Sequence, residues 1–487
     1  MTDIHTPTWV KDAVFYQIFP DRFARSAALA KPNNLEPWDT PPTTYGYKGG
    51  DLLGVVEHLD HIVALGANAI YFCPIFQSAS NHRYHTHDYY RVDPLLGGNA
   101  ALQTLLDEAH RRGLKVVLDG VFNHASRGFF YFNDILENGR DSPYLDWFTV
   151  REFPPNAYDP LRPPGYEAWV GLPALPKLNT DNPQVREYLM QVAEHWLRQG
   201  IDGWRLDVAK EITTPGFWEE FRQRVKAINP EAYIVAEIWE VDSARPWLQG
   251  DAFDGVMNYP FAEATLSFVA GPRIVYEHWA GRAYDLSKPL TAMQYGERVA
   301  WLLAQYPWEI QLAQMNLLDS HDAARVITLA GGDAASVRLA TLLLLTYPGA
   351  VSIYYGDEIG LEGGMPDADV RRTMPWDHPE RWKLDALAEH RALIALRHAH
   401  PALRQGAYTQ LYADDAVYVF LRQLGGEALL VAVNIADEPR TVTFAAPNVA
   451  AAGEVLRDVY GPDEAMLSEG RVTLALGARR GSVWLAA

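Results

Sequence analysis

Short all-apolar runs alternate along most of the chain with segments whose apolar residues recur every three or four positions. Residues 14–19, Val-Phe-Tyr-Gln-Ile-Phe, predict a first strand, and residues 51–65 a helix that Asp51 is placed to cap. A second strand is expected at residues 69–72, a helix at 100–112 closed by Gly113, and a third strand at 115–122. The unbroken apolar centre of that third strand suits burial on both faces. After a break come helix 184–198, strand 203–208, helix 217–228, and strands 233–239 and 255–259. Beyond a longer helical stretch follow strand 314–318, helix 335–345 and strand 351–355. Eight strands, each with room for a helix after it, predict an α/β fold in which residues 1–124 and 181–404 form a closed (β/α)8 barrel. An open doubly wound sheet is the alternative and usually has fewer units.

Two stretches depart from this alternation. Residues 125–180 are rich in Pro, Gly, Tyr and Trp and lack periodicity, which predicts a subdomain inserted after the third strand. From residue 405 to 487 the texture changes to short β-rich runs at 416–421, 428–434, 441–444, 472–476 and 482–485, separated by Gly, Asp and Pro. A carboxyl-terminal all-β sandwich is expected there.

Composition narrows the function. A net charge of −19 over 487 residues argues against nucleic acid or an anionic membrane as partner and suits a neutral substrate. The 15 Trp and 25 Tyr supply amphipathic rings, a mild lean toward carbohydrate. The single cysteine, Cys73, ends an apolar run and reads as a buried small hydrophobe. No basic start followed by an apolar core opens the chain, and no run of eighteen apolar residues suggests a membrane span, so a cytoplasmic enzyme is expected.

In such a barrel the functional residues sit at the carboxyl ends of the strands. Here strand three ends in Asp119 and runs on to Asn123 and His124. Strand four ends in Arg205 and Asp207, strand five in Glu237-Ile238-Trp239, and strand seven runs into His321 and Asp322. Positions i and i+2 of a strand share a face, so Arg205 and Asp207 read either as a structural ion pair or as a catalytic carboxylate kept ionised by a fixed cation. Each end alone is explained by capping or local hydrogen bonding. Four such ends converging on one mouth supply three candidate carboxylates, two histidines and an arginine, the equipment for glycoside hydrolysis.

These motifs carry a family resemblance. Asp119–His124, Gly203–Asp207, Glu237-Ile238-Trp239 and Asn316–Asp322 stand in the order found in the α-amylase family of retaining glycoside hydrolases. Leu175-Pro176-Lys177-Leu178-Asn179 resembles the marker of its cyclomaltodextrinase, neopullulanase and maltogenic amylase branch. The resemblance covers nearly the whole chain. It implies Asp207 as the nucleophile, Glu237 as general acid/base, and Asp322 as the third carboxylate, which holds the sugar hydroxyls. It further implies that His124 and His321 bond the same ring, that Arg205 keeps Asp207 ionised, and that Asp119 belongs to the substrate site. Tyr84, in Asn81-His82-Arg83-Tyr84, matches the residue that stacks on the sugar at the cleaved bond, against a plain packing role. Trp239 is a candidate for stacking beyond that bond. Asp369 and Arg372 resemble a segment on the non-reducing side, although a surface charge cluster explains them nearly as well.

Departures from the family set further expectations. The first strand starts within about fifteen residues of Met1, so the extra amino-terminal β domain of many branch members is not expected, and a monomer or a non-swapped dimer is. Relatives often place calcium ligands after Asp-Arg-Phe of strand one. Here Asp21-Arg22-Phe23 is followed by Ala24-Arg25-Ser26-Ala27-Ala28, which offers few of the hard oxygens calcium needs. Gly50 and Asp51 remain, and Asn123 matches an α-amylase-type calcium ligand, but no metal or other cofactor is expected to be required. His85 stands where relatives usually carry Asp. The expected activity is hydrolysis of α-1,4 bonds in cyclodextrins, maltooligosaccharides, and pullulan or starch, releasing mainly maltose and glucose. The alternatives are a glucanotransferase on the same machinery and, remotely, a non-catalytic binding or transport subunit.

Overall fold

Eight short strands close into a parallel barrel: Val14–Ile18, Ala69–Phe72, Lys115–Gly120, Gly203–Leu206, Tyr233–Ala236, Gly255–Asn258, Met315–Asn316 and Ala350–Tyr354. All but Lys115 are buried, as expected of strands covered on both faces. The molecule is described from a computed structural model covering residues 4–279, 285–446, 449 and 455–486. Each strand pairs in parallel with its two neighbours, and the eighth closes on the first. The register sets Gln17 beside Tyr71 and Asp119 beside Arg205, which stacks polar side chains toward one mouth. Gly203 is required by close approach, because a Cβ there would lie 2.3 Å from the Tyr233 carbonyl oxygen of the next strand.

The helices form where the sequence supplies their ends. Asn182 caps Pro183–Arg198 through the Gln184 N–H, with Pro183 in the first turn. Phe217–Ile228 matches its predicted span. The helix expected over residues 51–65 is instead two, Leu52–Glu57 and Leu59–Leu65. They break at His58, whose backbone leaves helical geometry and whose ring packs 3.9 Å from Trp376. Several strands are shorter than predicted. The third ends at Gly120, where the Phe122 N–H turns back onto its carbonyl, and the seventh is reduced to two residues. A hairpin after strand two, Phe76–Ser78 with Thr86–Val92, escaped the apolar pattern and carries Asn81 to Tyr84 in its loop.

The inserted segment contains the helix Phe130–Asn138, is tied to the barrel by the isolated bridge of His124 with Lys177, and is closed on itself by that of Phe148 with Leu178. Beyond the barrel, eight antiparallel strands from Ala407–Ala413 to Arg480–Ala486 form one continuous sheet. It folds over a core in which Val419, Leu430 and Trp484 meet Phe444, Leu467 and Leu474. Three of its strands, Ala407–Ala413, Val455–Asp458 and Glu464–Ser468, were not predicted, because their alternate positions are polar or small.

Two buried guanidiniums gather the carbonyls where this sheet meets the barrel, and the one from the sheet, Arg422, joins the two. Helix Ala334–Thr346 leaves its last carbonyls without intrahelical donors. Arg397 donates to the Leu345, Tyr347 and Leu403 carbonyls at 2.9, 2.9 and 3.1 Å and also to Gly349. Arg422, from the sheet, donates to Thr346, and to Leu403 and Gly406 at 2.8 Å each. Burial pushes each arginine down to about 9. Arg422→Met is expected to cost about 3 kcal/mol of unfolding free energy, because it strands the buried Thr346 and Gly406 carbonyls, while Leu403 keeps Arg397. Denaturant unfolding checks this, and a loss within about 0.5 kcal/mol would contradict the clamp.

Candidate active site

Arg205 is fully buried at the mouth of the barrel and faces three carboxylates. Its Nη1 donates to Asp119 Oδ2 at 2.8 Å and Oδ1 at 3.0 Å, and to Asp207 Oδ1 at 3.0 Å. Its Nη2 lies 3.0 Å from Glu237 Oε2, a charge contact without the alignment of a hydrogen bond. Glu237 is fixed further by the Val208 N–H on Oε2 at 3.0 Å and the Trp239 indole N–H on Oε1 at 3.1 Å. Val208 is held at φ 38°, an outlier for a β-branched residue, directly after Asp207.

One cation among three buried carboxylates cannot neutralise them all. Burial pushes Asp207 well up, Arg205 opposes, and Glu237, Asp119 and Asp322 add to the rise. Arg205 works to keep Asp207 ionised, but the guanidinium is shared and its shortest bond goes to Asp119.

The second wall is built around Asp322. His321 Nε2 lies 2.9 Å from Asp322 Oδ2, and Arg371 Nη2 donates to Oδ1 at 3.0 Å. Burial opposes ionisation of Asp322, but His321 and Arg371 hold it far below the usual carboxylate range. His321 is stacked 5.4 Å from Tyr84 with the rings 6° from parallel, and its Nδ1 is 2.9 Å from Gln17 Nε2. The Tyr84 hydroxyl reaches both His321 Nε2 at 2.5 Å and Asp119 Oδ2 at 3.1 Å. The loop presenting Tyr84 is held by Arg83, buried at φ 59° and bonded to Asp93 at 3.2 Å.

The structure thus gathers Tyr84, Asp119, Arg205, Asp207, Glu237, His321 and Asp322 into one network. Asp119 lies beneath it, with Oδ2 also accepting from Tyr71 at 2.8 Å, and acts as counter-ion. His124 is buried with Nε2 unpartnered, its ring stacked 5.2 Å from Trp169 of the inserted segment. Trp239 stacks on Tyr259 at 3.5 Å, which covers one face of its indole. Asp369 and Arg372 pair with each other at 2.7 and 3.0 Å. Arg371, one residue earlier, is the arginine that reaches Asp322, and the sequence reading missed it. Gln17 and Tyr71 were missed too, although polar groups inside apolar barrel strands were a usable signal.

The residues at the family's amino-terminal calcium position do not fit that ion. Lys31 Nζ lies 2.8 Å from Asp51 Oδ2 and donates to the Leu95 carbonyl at 3.0 Å. Asp51 also accepts from the Gly54 and Ser26 N–H groups. Asp21 accepts from Arg22 and from the Lys48 and Gly49 N–H groups. Asn123 Oδ1 is buried without a partner, a single oxygen where calcium favours six to eight. Among the described residues no group of three or more His, Cys, Asp or Glu is placed to hold a metal.

A closed barrel with paired carboxylates at its mouth and a β domain behind it defines a glycoside hydrolase architecture. Residues 17–383 match the α-amylase catalytic domain and residues 406–484 the α-amylase C-terminal domain. The chain belongs to the α-amylase family of glycoside hydrolases. It is 44% identical over 436 residues to a cyclomaltodextrinase of Geobacillus thermopakistaniensis, spanning 89% of this chain and 70% of that protein. It is 42% identical over 484 residues to neopullulanase 2 of Thermoactinomyces vulgaris, spanning 98% and 78%. Among solved structures it resembles the acarbose-soaked debranching enzyme of Nostoc punctiforme, with a TM-score of 0.90, 53% identity and full coverage of both chains.

The Asp322–His321 pair gives a pH test. Burial lowers His321, but the Asp322 carboxylate outweighs it and raises the imidazole from 6.5 to about 10. Stability from a raised histidine is complete below the unfolded value and is lost as pH rises through the folded one. Asp322 behaves oppositely, its contribution being present above the ordinary carboxylate range and lost on acidification. Asp322→Asn is expected to lower His321 clearly, because the largest influence opposing its burial is then removed. A histidine NMR titration reads this directly, and an unchanged His321 would contradict the pairing.

Proposed function

We propose that the chain is a retaining hydrolase of α-1,4-glucosidic bonds in cyclodextrins and maltooligosaccharides, and of pullulan or starch as larger substrates, releasing mainly maltose and glucose. One observation carries this reading: Asp207 and Glu237 each lie 3.0 Å from a different terminal nitrogen of the same buried guanidinium. That placement suits the roughly 5–5.5 Å carboxyl spacing of retaining enzymes. The printed names of the two relatives, a cyclomaltodextrinase and a neopullulanase, support the substrate class.

The residues divide the reaction. An Asp207 oxygen attacks the anomeric carbon while Glu237 gives its proton to the departing glycosidic oxygen, so the carbon–oxygen bond breaks as the ester forms. Glu237, now ionised, takes a proton from water as that water displaces Asp207. Asp322, His321 and His124 hold the sugar hydroxyls, and Tyr84 offers its ring. Passing the glycosyl group to a sugar instead of water would need no different residues, so the acceptor decides between hydrolase and transferase.

Asp207→Asn and Glu237→Gln are each expected to lower turnover at least ~10³-fold with the fold intact. Rates on cyclodextrin, maltotriose, pullulan and starch, with products identified, test the substrate class. Products mainly longer than the substrate in excess maltose would replace the hydrolase reading with the transferase one.

We also propose that catalysis needs no metal, a reading supported by the Lys31 ammonium seated on Asp51. Exhaustive chelation is expected to leave activity unchanged. A loss that calcium restores would overturn this.

A further inference from the structure

The first strand carries an amide into the floor of the active site. Gln17 is buried, and the parallel register sets it beside Tyr71 of strand two and Tyr354 of strand eight. An amide inside a barrel costs free energy unless its groups are bonded. Its Nε2 lies 2.9 Å from His321 Nδ1 and 3.5 Å from Cys73 Sγ. Its Oε1 is sealed from solvent and accepts from no described residue.

The orientation of that amide and the charge of its neighbour are opposed. An amide nitrogen only donates, so with Nε2 facing it Nδ1 must be a bare acceptor and His321 a neutral ring. The surroundings of the ring favour the charged form. Asp322 Oδ2 is 2.9 Å from Nε2, and the Tyr84 hydroxyl, 2.5 Å from the same nitrogen, reaches Asp119 Oδ2 at 3.1 Å. Cys73 flanks the ring, and Arg371 donates to the His321 carbonyl at 2.9 Å. Burial opposes the charge, yet Asp322 and its neighbours outweigh it and carry the imidazole up to about 10. Near pH 7 both ring nitrogens therefore hold a proton, and an amide N–H facing Nδ1 is repelled.

A half-turn about the last side-chain bond removes the conflict. It brings Oε1 to the place of Nε2, as acceptor for the Nδ1–H and for the Cys73 thiol. Each orientation serves one protonation state of the ring and opposes the other. A bond to an ionised partner is roughly twice as strong as a neutral one, so the charged ring favours the turned amide. We infer that Gln17 is a positioning residue whose amide turns with the proton on His321, presenting Oε1 to the Nδ1–H in the working enzyme. Held in this way, the ring keeps its Nε2–H aimed at Asp322, Tyr84 and a sugar hydroxyl. That consequence rests on the α-glucan reading above, whereas the orientation of the amide does not.

Wild type alone supplies the first test. With the histidines 15N-labelled, His321 Nδ1 is expected to resonate at pH 7 as a protonated nitrogen, and a bare nitrogen would overturn the inference. Gln17→Met, of similar length and without an acceptor, supplies the second by its sign. It is expected to lower the His321 titration by roughly one to two pH units, the worth of a hydrogen bond to a charged group. An amide that donates to Nδ1 predicts a rise instead, so a rise or no change overturns the inference. Gln17→Glu keeps an acceptor and is expected to leave the titration at or above the wild-type value; a fall counts against the inference. On maltotriose, the ratio of Gln17→Met to wild-type kcat/KM is expected to drop roughly threefold from pH 6 to pH 9, as the variant ring loses its charge first. A ratio constant with pH would remove the positioning role. Should wild type cleave no α-glucan, the hydrolase reading fails and the titrations still decide Gln17.

Discussion

The site depends on a single buried positive charge. Arg205 has no exposed surface, and an isolated guanidinium there would cost several kcal/mol in lost hydration. Asp119, its partner in the strand register, offsets that cost and leaves the remaining nitrogen valences pointing at Asp207 and Glu237. Every later feature follows from the shortage of positive charge. Because the carboxylates outnumber the guanidinium, burial pushes Asp207 up despite that contact. His321 and Arg371 already pair with Asp322 and hold that acid charged.

Holding such a network requires the backbone to yield elsewhere. The two residues that flank the chemistry with positive φ, Arg83 and Val208, are types that rarely adopt it. Each is over-determined by its surroundings. Arg83 is tied to Asp93, and the Val208 N–H to Glu237 itself. Strain here is coupled to the reacting groups, so loosening either turn would move Tyr84 or Glu237 before it moved the barrel.

Much of this was legible from pattern alone. The eight strands are short and mostly apolar, with acidic residues gathered at their carboxyl ends, so the barrel and the positions of Asp207, Glu237 and Asp322 could be read off the alternation. Contacts between elements could not. The hairpin carrying Tyr84 mixes polar and apolar residues, because one side of it faces the cleft. Arg371, just past the four-residue helix Asp367–Val370, reaches Asp322 without any local signal, whereas Arg372 pairs with Asp369. Trp239 was foreseen as a platform but spends one face on Tyr259 and its N–H on Glu237. The unpredicted strands of the last domain are ordered by partners far along the chain, which no local window contains.

Lys31 changes what the loop after the first strand answers to. A bound metal can be diluted, exchanged or captured by a competitor, whereas an ammonium on the chain is always present at one per molecule. Its charge is set by protons alone, and burial lowers its pKa from 10.5. The order of that loop, and of Asp51 at the head of the next helix, is thereby tied to the protonation of one side chain.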